Sequence, residues 1–361
     1  MSQHDAWIAA GLLDPAAPDA EDRLQLLEYL TDRGATLNDL IASSATRSLN
    51  AAASDRLLNE PKVASRTEAA DRVGLSLEQL DRVWRAVGLP PVAHDGAVFG
   101  EGDLFLLGVF KVGIDLLGFD AALQFTRVMG SSMARIAEAA VSGFLVNVEG
   151  PLVLEHSKPI ELARASFEAT EILMSLPEIF KPMFARHAAI ATMRTRTTRD
   201  QAGGFAELRL SIGFLDLVGF TAWSQDLPTD RLARAVNEFE EAASDRITDG
   251  GGRVIKMIGD AVMYATADPV AACSAALDLC EFVDRHPILT RLRGAITSGA
   301  VLSRDGDYFG PTVNLTARAV KLAEPGHVLV DRPVAGFVTE SIGHHALRGI
   351  DTTVELFVLS R

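Results

Sequence analysis

The sequence predicts an α+β protein, all-helical over residues 1–185 and mixed over residues 205–361, where strands and helices alternate. Three observations predict it. Apolar residues recur at helical spacing, and no strand-like alternation of any length appears before residue 200. The run Leu208, Leu210, Ile212 and Phe214 then alternates with Arg209, Ser211 and Gly213, the period of two of a strand with one buried face. Beyond it, two short apolar runs, 254–258 and 261–265, flank Gly259 and Asp260 as the arms of a hairpin.

A chain of 361 residues has room for about two domains. With 48% hydrophobic and 23% charged residues the composition is globular. A net charge of −14 argues against a protein that coats nucleic acid, since phosphate binding wants a basic face. An acidic chain can still hold a nucleotide if metal ions and a few basic side chains are local to the site. Cys273 and Cys280 stand seven apart on an expected helix, where two turns separate the Cα atoms by ~10 Å and exclude a disulfide. Buried thiols in a reducing cytoplasm are expected. Residues 1–7 lack the basic and apolar regions of a signal peptide. The most apolar run, 104–119, is interrupted by Lys111 and Asp115 and is shorter than the ~20 residues of a membrane span. A soluble cytoplasmic protein with neither membrane nor nucleic acid as partner is expected.

In chain order, Leu24, Leu26, Leu27 and Leu30 make a helix that Gly34 ends, and Thr36 caps the next one ahead of Leu37 and Leu40. Residues 65–89 read as helix, Gly74 turn and Ser76-capped helix, the outline of a helix-turn-helix. The second helix opens with Glu78, Gln79 and Asp81, where base reading would want basic side chains. A structural hairpin is therefore expected, with a DNA-binding regulator as the alternative. Residues 121–141 are apolar all round, which predicts burial, as in a dimer interface, or a pocket for a small apolar ligand. Methionines 129, 133, 174, 183 and 193 are expected to fill gaps in a core. A basic linker follows over 186–204, with Arg186, Arg194, Arg196 and Arg199 ahead of Gly203 and Gly204.

After the first strand, Leu232, Val236, Phe239, Ala243 and Ile247 form a helix that the glycines at 250–252 end. The hairpin comes next, then a helix over about 269–285, a strand over 291–301, a turn at 305–307 and a helix from Pro311. Strands at 328–331, 346–349 and 354–359 complete the prediction.

Each of the first two strand units carries one aspartate. Asp216 sits at a strand end, followed by Val218, Gly219, Phe220 and Thr221, where the glycine lets backbone amides turn toward an anion. Asp260 sits at the hairpin tip. Two hard carboxylates beside such a turn suit Mg²⁺ or Mn²⁺ holding a polyphosphate.

Three segments, FLDLVGFT at 214–221, KMIGD at 256–260 and DYFGPTVNLTAR at 307–318, resemble in order the motifs of the class III nucleotidyl cyclases. Thr316 stands where that family usually has a small residue. The resemblance spans residues 205–361 and implies a ferredoxin-like palm. The implied reaction is attack of a ribose 3′-hydroxyl on the α-phosphorus of a nucleoside triphosphate, with two metal ions held by Asp216 and Asp260 and phosphates cradled by Val218 to Thr221. Lys256 and Asp307 fall where the family reads the base; guanylyl members usually carry glutamate and cysteine there, so ATP is the implied substrate. Asn314 and Arg318, four apart on one helix face, take the positions that orient the ribose and oppose charge at the pentavalent phosphorus. Arg348 stands where the family often places a phosphate-binding lysine. In the family the metal aspartates come from one subunit and the lysine, asparagine and arginine from the other. Both sets occur in this chain, which implies a head-to-tail homodimer and an inactive monomer. A catalytically degenerate ATP-sensing module is the alternative, and intact Asp216, Asp260, Asn314 and Arg318 argue against it.

More loosely, the whole chain resembles actinobacterial soluble cyclases of the mycobacterial type, whose helical N-terminal domain restrains the catalytic one. Autoinhibition with pH as an input follows as an expectation, a plain dimerisation scaffold being the alternative. The regulator stays open among a proton, a lipid or other small apolar molecule, a protein and none. Of the histidines at 4, 94, 156, 187, 286, 327, 344 and 345, none has the ligand spacing of a zinc site. His187, in the basic linker, is the candidate proton-responsive group.

Overall fold

The computed structural model describes all residues except Met1, Arg47, 93–95, 203–206 and Asp226; side chains at 194, 197–202, 207, 221–223, 229 and 230 also lie outside the description. His94, Gly203, Gly204 and the side chains of Arg194, Arg199 and Thr221 therefore fall outside the described part. The chain forms two compact units, Met1–Ala185 and Arg186–Arg361.

Helices α1 (Gln3–Ala9), α2 (Ala20–Asp32), α3 (Leu37–Ala45), α4 (Ala52–Leu58), α5 (Arg66–Val73) and α6 (Leu77–Val87) open the first unit. Helices α7 (Glu101–Leu117), α8 (Phe119–Phe144), α9 (Gly150–Leu154) and α10 (Pro159–Ala202) follow. Ser2, Thr36, Ser65 and Ser76 each cap a helix with the side-chain oxygen and donate their own backbone N–H to the acid or amide three residues on, which fixes where these helices start. Among the described residues before β1, the one β-type contact is an isolated bridge between Ala64 and Phe99. The 65–89 hairpin buries Leu80, Val83 and Trp84 against Phe99, Leu107 and Leu123, so α6 spends its apolar face on the unit's own core. Arg66 donates from Nε to Asp81 at 2.8 Å across that hairpin.

The expected burial of 121–141 does not hold within the chain. Ala122, Leu123, Thr126 and Gly130 are the buried residues of α8, whereas Phe125, Met129, Met133, Ile136 and Val141 are exposed. Methionines 129, 133, 174, 183 and 193 are likewise exposed and fill no core. The cause is geometric: among the described residues of the first unit α8 packs on α6 and α7 along a single stripe, and the rest of its circumference is left uncovered. The stripe itself is tight. A Cβ on Gly130 would lie 2.2 Å from the Val87 carbonyl oxygen, so only glycine allows the approach. A π turn at Leu145–Glu149 joins α8 to α9. The resulting helical run Phe119–Leu154 is long and apolar enough to cross a membrane by length and composition, unlike the shorter run 104–119 from which no span was expected. Helix α10 carries residues 186–202 of the expected linker, and the division between the two units falls inside it.

The second unit is built on strands β1 (Glu207–Leu217), β2 (Arg253–Ile258), β3 (Ala261–Thr266), β4 (Leu292–Arg304), β5 (Asp307–Phe309), β6 (Val328–Val330), β7 (Val338–His345) and β8 (Val354–Ser360). Its helices are α11 (Phe220–Gln225), α12 (Thr229–Asp249), α13 (Pro269–Arg285) and α14 (Pro311–Ala319). The sheet order is β2-β3-β1-β4-β6-β8-β7, with β5 folded back on β4. All neighbours are antiparallel except β4 and β6. One face is covered by α12 and α13, which pack Phe239, Ala243, Leu279 and Val283 on Leu215, Leu217 and Tyr264. On the other face Ala319 of α14 packs with Ala295, Leu329 and Leu356. One predicted strand is corrected: 346–349 is a turn, and the strand is Val338–His345 before it. That strand sits at the sheet edge, bonded to β8 alone, and its polar TESIGHH sequence hides it from a pattern search.

Cys273 and Cys280 are both free and buried on α13, and burial pushes each thiol up to about 12. At pH 8 the thiolate fraction is then about one part in ten thousand. A thiol reagent at that pH should label neither cysteine in the native protein and both after denaturation; rapid native labelling would contradict the packing of α13.

Candidate active site

Asp216 lies one residue before the end of β1, opposite Ala261 on β3 and Arg293 on β4. Its neighbours Leu215 and Leu217 point into the α12–α13 core, so alternation turns the carboxylate to the opposite face. There Arg293 donates to Asp216 Oδ2 from Nε at 3.0 Å and from Nη2 at 2.7 Å. Asp260 follows Gly259, whose φ of +62° makes the tight hairpin tip. The Leu217 amide donates to the Asp260 carbonyl at 3.1 Å and ties that tip to the end of β1. Burial raises the Asp260 carboxyl from its ordinary value; its own backbone amide opposes the shift, and the charge of Asp216 adds to it. Asp260 thus feels the opposing charges of Asp216 and Arg293. Asp216 and Asp260 are a pair of hard oxygen donors that fits Mg²⁺ or Mn²⁺, which bind through one or two carboxylates and leave the remaining positions to water and substrate phosphates. No cluster of three or more potential ligands occurs among the described residues.

The turn after Asp216 needs one correction. The Val218 amide donates to the Arg291 carbonyl at 2.9 Å, so Val218 anchors the turn and does not offer its N–H to a phosphate. Gly219 has φ +72°, a conformation that favours glycine, and Phe220 and Thr221 begin α11.

Lys256 reaches the same face as Asp216 through a β-bulge. Arg253 pairs with Ala265 and Val254 with Tyr264, but the next pair is Lys256 with Met263, so one residue of β2 is skipped. Without the bulge, Lys256 would share the face of Val254 and point into the α12–α13 core. With it, Lys256 Nζ lies 2.5 Å from Asp307 Oδ2. The other oxygen, Oδ1, accepts from the Tyr308 amide at 2.8 Å, so both oxygens of Asp307 are oriented.

Asn314 and Arg318 are exposed on one side of α14, while Thr312, Thr316 and Ala319 are buried on the other. Thr316 replaces a small residue without cost because its hydroxyl is paired: it lies 2.7 Å from the Thr297 hydroxyl and donates to the Thr312 carbonyl at 2.8 Å. Thr297 is on β4, so this pair fixes α14 to the sheet. Asn314, Gly349 and Ile350 line one cleft of about 510 Å³, and Arg348 is exposed in the turn beside it. The predicted residues thus fall into three groups: Asp216 with Asp260, Lys256 with Asp307, and Asn314 with Arg318. Among the described residues no hydrogen bond or ion pair joins one group to another.

The two units correspond to two family models, "Adenylate cyclase regulatory domain" over residues 7–185 and "Adenylate and Guanylate cyclase catalytic domain" over residues 207–359. An adenylate cyclase of Glutamicibacter nicotianae is 31% identical over 335 residues, spanning 88% of this chain and 82% of that one. The chain belongs to the class III adenylate and guanylate cyclase family. A pH-sensitive adenylate cyclase of Mycobacterium tuberculosis is 29% identical over 382 residues, with 99% of this cyclase and 92% of that one covered. The crystal structure of the adenylyl cyclase CyaB from P. aeruginosa aligns over 43% of this chain and 95% of that one, at 22% identity and a TM-score of 0.39. Two residues of the cyclase domain stand out in the structure that motif reading passes over, Arg293 beside Asp216 and Arg253 beside the Asp307 turn. Strand parity alone could have flagged Arg293, which shares its face of β4 with Ala295 and Thr297.

Proposed function

We propose that this cyclase converts ATP to 3′,5′-cyclic AMP and pyrophosphate at two sites shared across a head-to-tail homodimer. The observation that carries the choice of ATP is the Lys256–Asp307 pair, a lysine and a carboxylate already held together. The lysine suits donation to adenine N1 and the carboxylate suits acceptance from the N6 amine. Guanine presents the reverse, an N1–H donor and an O6 acceptor, and would leave both groups mismatched.

Asp216 and Asp260 would hold two Mg²⁺ or Mn²⁺ ions, which supply acidification of the attacking hydroxyl and neutralisation of the leaving pyrophosphate. Bond formation from the ribose 3′-oxygen to the α-phosphorus breaks the bond from that phosphorus to pyrophosphate, and the hydroxyl proton is released to water. Asn314 orients the ribose for in-line attack, and Arg318 opposes the charge that builds on the pentavalent phosphorus. In this reading Arg348, with Arg293 as a second cation, would bind phosphate oxygens. Separation of the three groups within one chain, together with the exposed apolar circumference of α8, supports a dimer. Arg127, Arg135 and Glu138 lie along that helix, and each would cost roughly 2.5–3.5 kcal/mol at a bilayer centre, which favours a protein contact.

The first 185 residues regulate the catalytic unit in this proposal, as an inhibitor with pH as an input. The relative named as pH-sensitive, matched over almost the whole chain, supports it. Cyclic AMP production by full-length protein and by residues 201–361, followed between about pH 5.5 and 8, tests the idea. The truncated protein should be the more active at one end of that range at least, with a flatter pH profile. Equal or lower activity of the truncated protein throughout would reduce the first unit to a scaffold.

A further inference from the structure

The turn that presents Asp307 is the two-residue loop Asp305-Gly306 that joins β4 to β5. Asp305 has φ +59° and Gly306 φ +78°, two consecutive left-handed residues, a hairpin conformation for which Asp-Gly is a favoured pair. What braces the turn is Arg253, a residue that none of the three motifs contains. Its Nη2 donates to the Gly306 carbonyl at 2.7 Å. The guanidinium lies 5.3 Å from the centroid of the Tyr308 ring. That ring is buried among Leu210, Ile212, Met263, Ala265 and Val301, so it is a fixed platform. Arg253 therefore grips the turn on both sides of Asp307, at residue 306 and at residue 308.

Arg253 is an expensive residue for a merely structural grip. Among the described residues its Nε is buried without a hydrogen-bond partner, and no carboxylate pairs with the guanidinium. An unmet buried donor costs about 1–3 kcal/mol. The β2 bulge links it to the base-reading pair: by skipping one residue, the strand puts Arg253 and Lys256 on one face, under the turn that carries Asp307. Lys256 and Arg253 thus contact adjacent parts of one turn from one rigid strand.

We propose that Arg253 is a positioning residue for base selection: by clamping Gly306 and Tyr308 it sets the place at which the Asp307 carboxylate meets Lys256, and hence the preference for ATP over GTP. The inference rests on the adenylyl reading of Lys256 and Asp307. Arg253 acts through Asp307 and touches no reacting atom. Its loss should therefore appear in base discrimination and KM before it appears in kcat.

The test compares full-length wild type, Arg253→Ala and Arg253→Lys, with kcat and KM for ATP and for GTP in Mn²⁺ and with the thermal midpoint of each protein. In Arg253→Ala the ratio of kcat/KM for ATP to that for GTP should fall by about tenfold, the equivalent of one charge-assisted hydrogen bond. KM for ATP should carry most of that loss, and kcat at saturation should stay within about twofold. Lysine can donate to the Gly306 carbonyl and sit over the Tyr308 ring, so Arg253→Lys should recover most of the ratio. An unchanged ratio in Arg253→Ala, whatever happens to kcat or the thermal midpoint, would mark a purely structural role and overturn the proposal. Should Arg253→Ala fail to fold, Arg253→Gln keeps a donor but no charge over the ring; its ratio should fall by about threefold, and an unchanged ratio would overturn the proposal equally. A wild type that shows no preference for ATP overturns the adenylyl reading itself, which keeps the two failures distinct.

Discussion

Chains carrying Asp216→Asn and chains carrying Arg318→Ala should each be nearly inactive alone and should regain activity when co-expressed. Each single change removes several kcal/mol of transition-state stabilisation, a loss on the order of a thousandfold in turnover. If the metal carboxylates come from one subunit and Arg318 from its partner, a mixed dimer has one site with both lesions and one site with none. Random pairing makes about half of the dimers mixed, and half of their sites intact, so about one quarter of wild-type activity returns. Asp216 and Arg318 lie on different elements, with no bond between their groups, which is what permits this division. No recovery in a mixture verified to contain mixed dimers would place a complete site within one chain.

Lys256→Glu combined with Asp307→Cys should reverse the base preference. Wild-type Lys256 and Asp307 form an ion pair with both carboxylate oxygens engaged, so neither side chain is free to adapt to guanine. Two mismatched hydrogen bonds, at about 1.5–3 kcal/mol each for charged partners, correspond to a loss of at least about a hundredfold in kcat/KM for ATP. Activity with GTP should rise in the same protein. Lys256→Glu alone would set two carboxylates side by side and should weaken both nucleotides. Steady-state kinetics with the two triphosphates reads all of this, and retention of the ATP preference in the double variant would remove Lys256 and Asp307 from base recognition.

Much of the second unit is legible because its signals are local. Alternation through Leu208 to Phe214, the helix from Pro269 to Arg285 and the hairpin around Gly259 all follow from residue spacing, and the structure has them where that spacing puts them. What escaped notice depends on non-local facts. Val338–His345 is a strand only because β8 lies beside it, since its own residues are polar. The Val218 amide could be assigned to a phosphate from sequence alone, because its partner, the Arg291 carbonyl, comes more than seventy residues later. Arg253 and Arg293 lie outside the motifs, and their partners Gly306 and Asp216 are far away in the chain. In the first unit the error has one origin: an all-round apolar helix signals that something covers it, but not that the cover is in the same chain. The exposed Met129, Met133 and Phe125 of α8 are that case. Thr316 is the opposite one, a departure from the family pattern that becomes intelligible once Thr297 is seen to pair with it.

The account turns on one reaction, and the most direct measurement is to supply purified full-length protein with ATP and Mn²⁺, and separately with GTP and Mn²⁺, and to quantify cyclic nucleotide between about pH 5.5 and 8. Cyclic AMP from ATP, with much less cyclic GMP from GTP, is the predicted result. Cyclic GMP as the main product, or no cyclic nucleotide at any pH from either the full chain or residues 201–361 while ATP still binds, would contradict it.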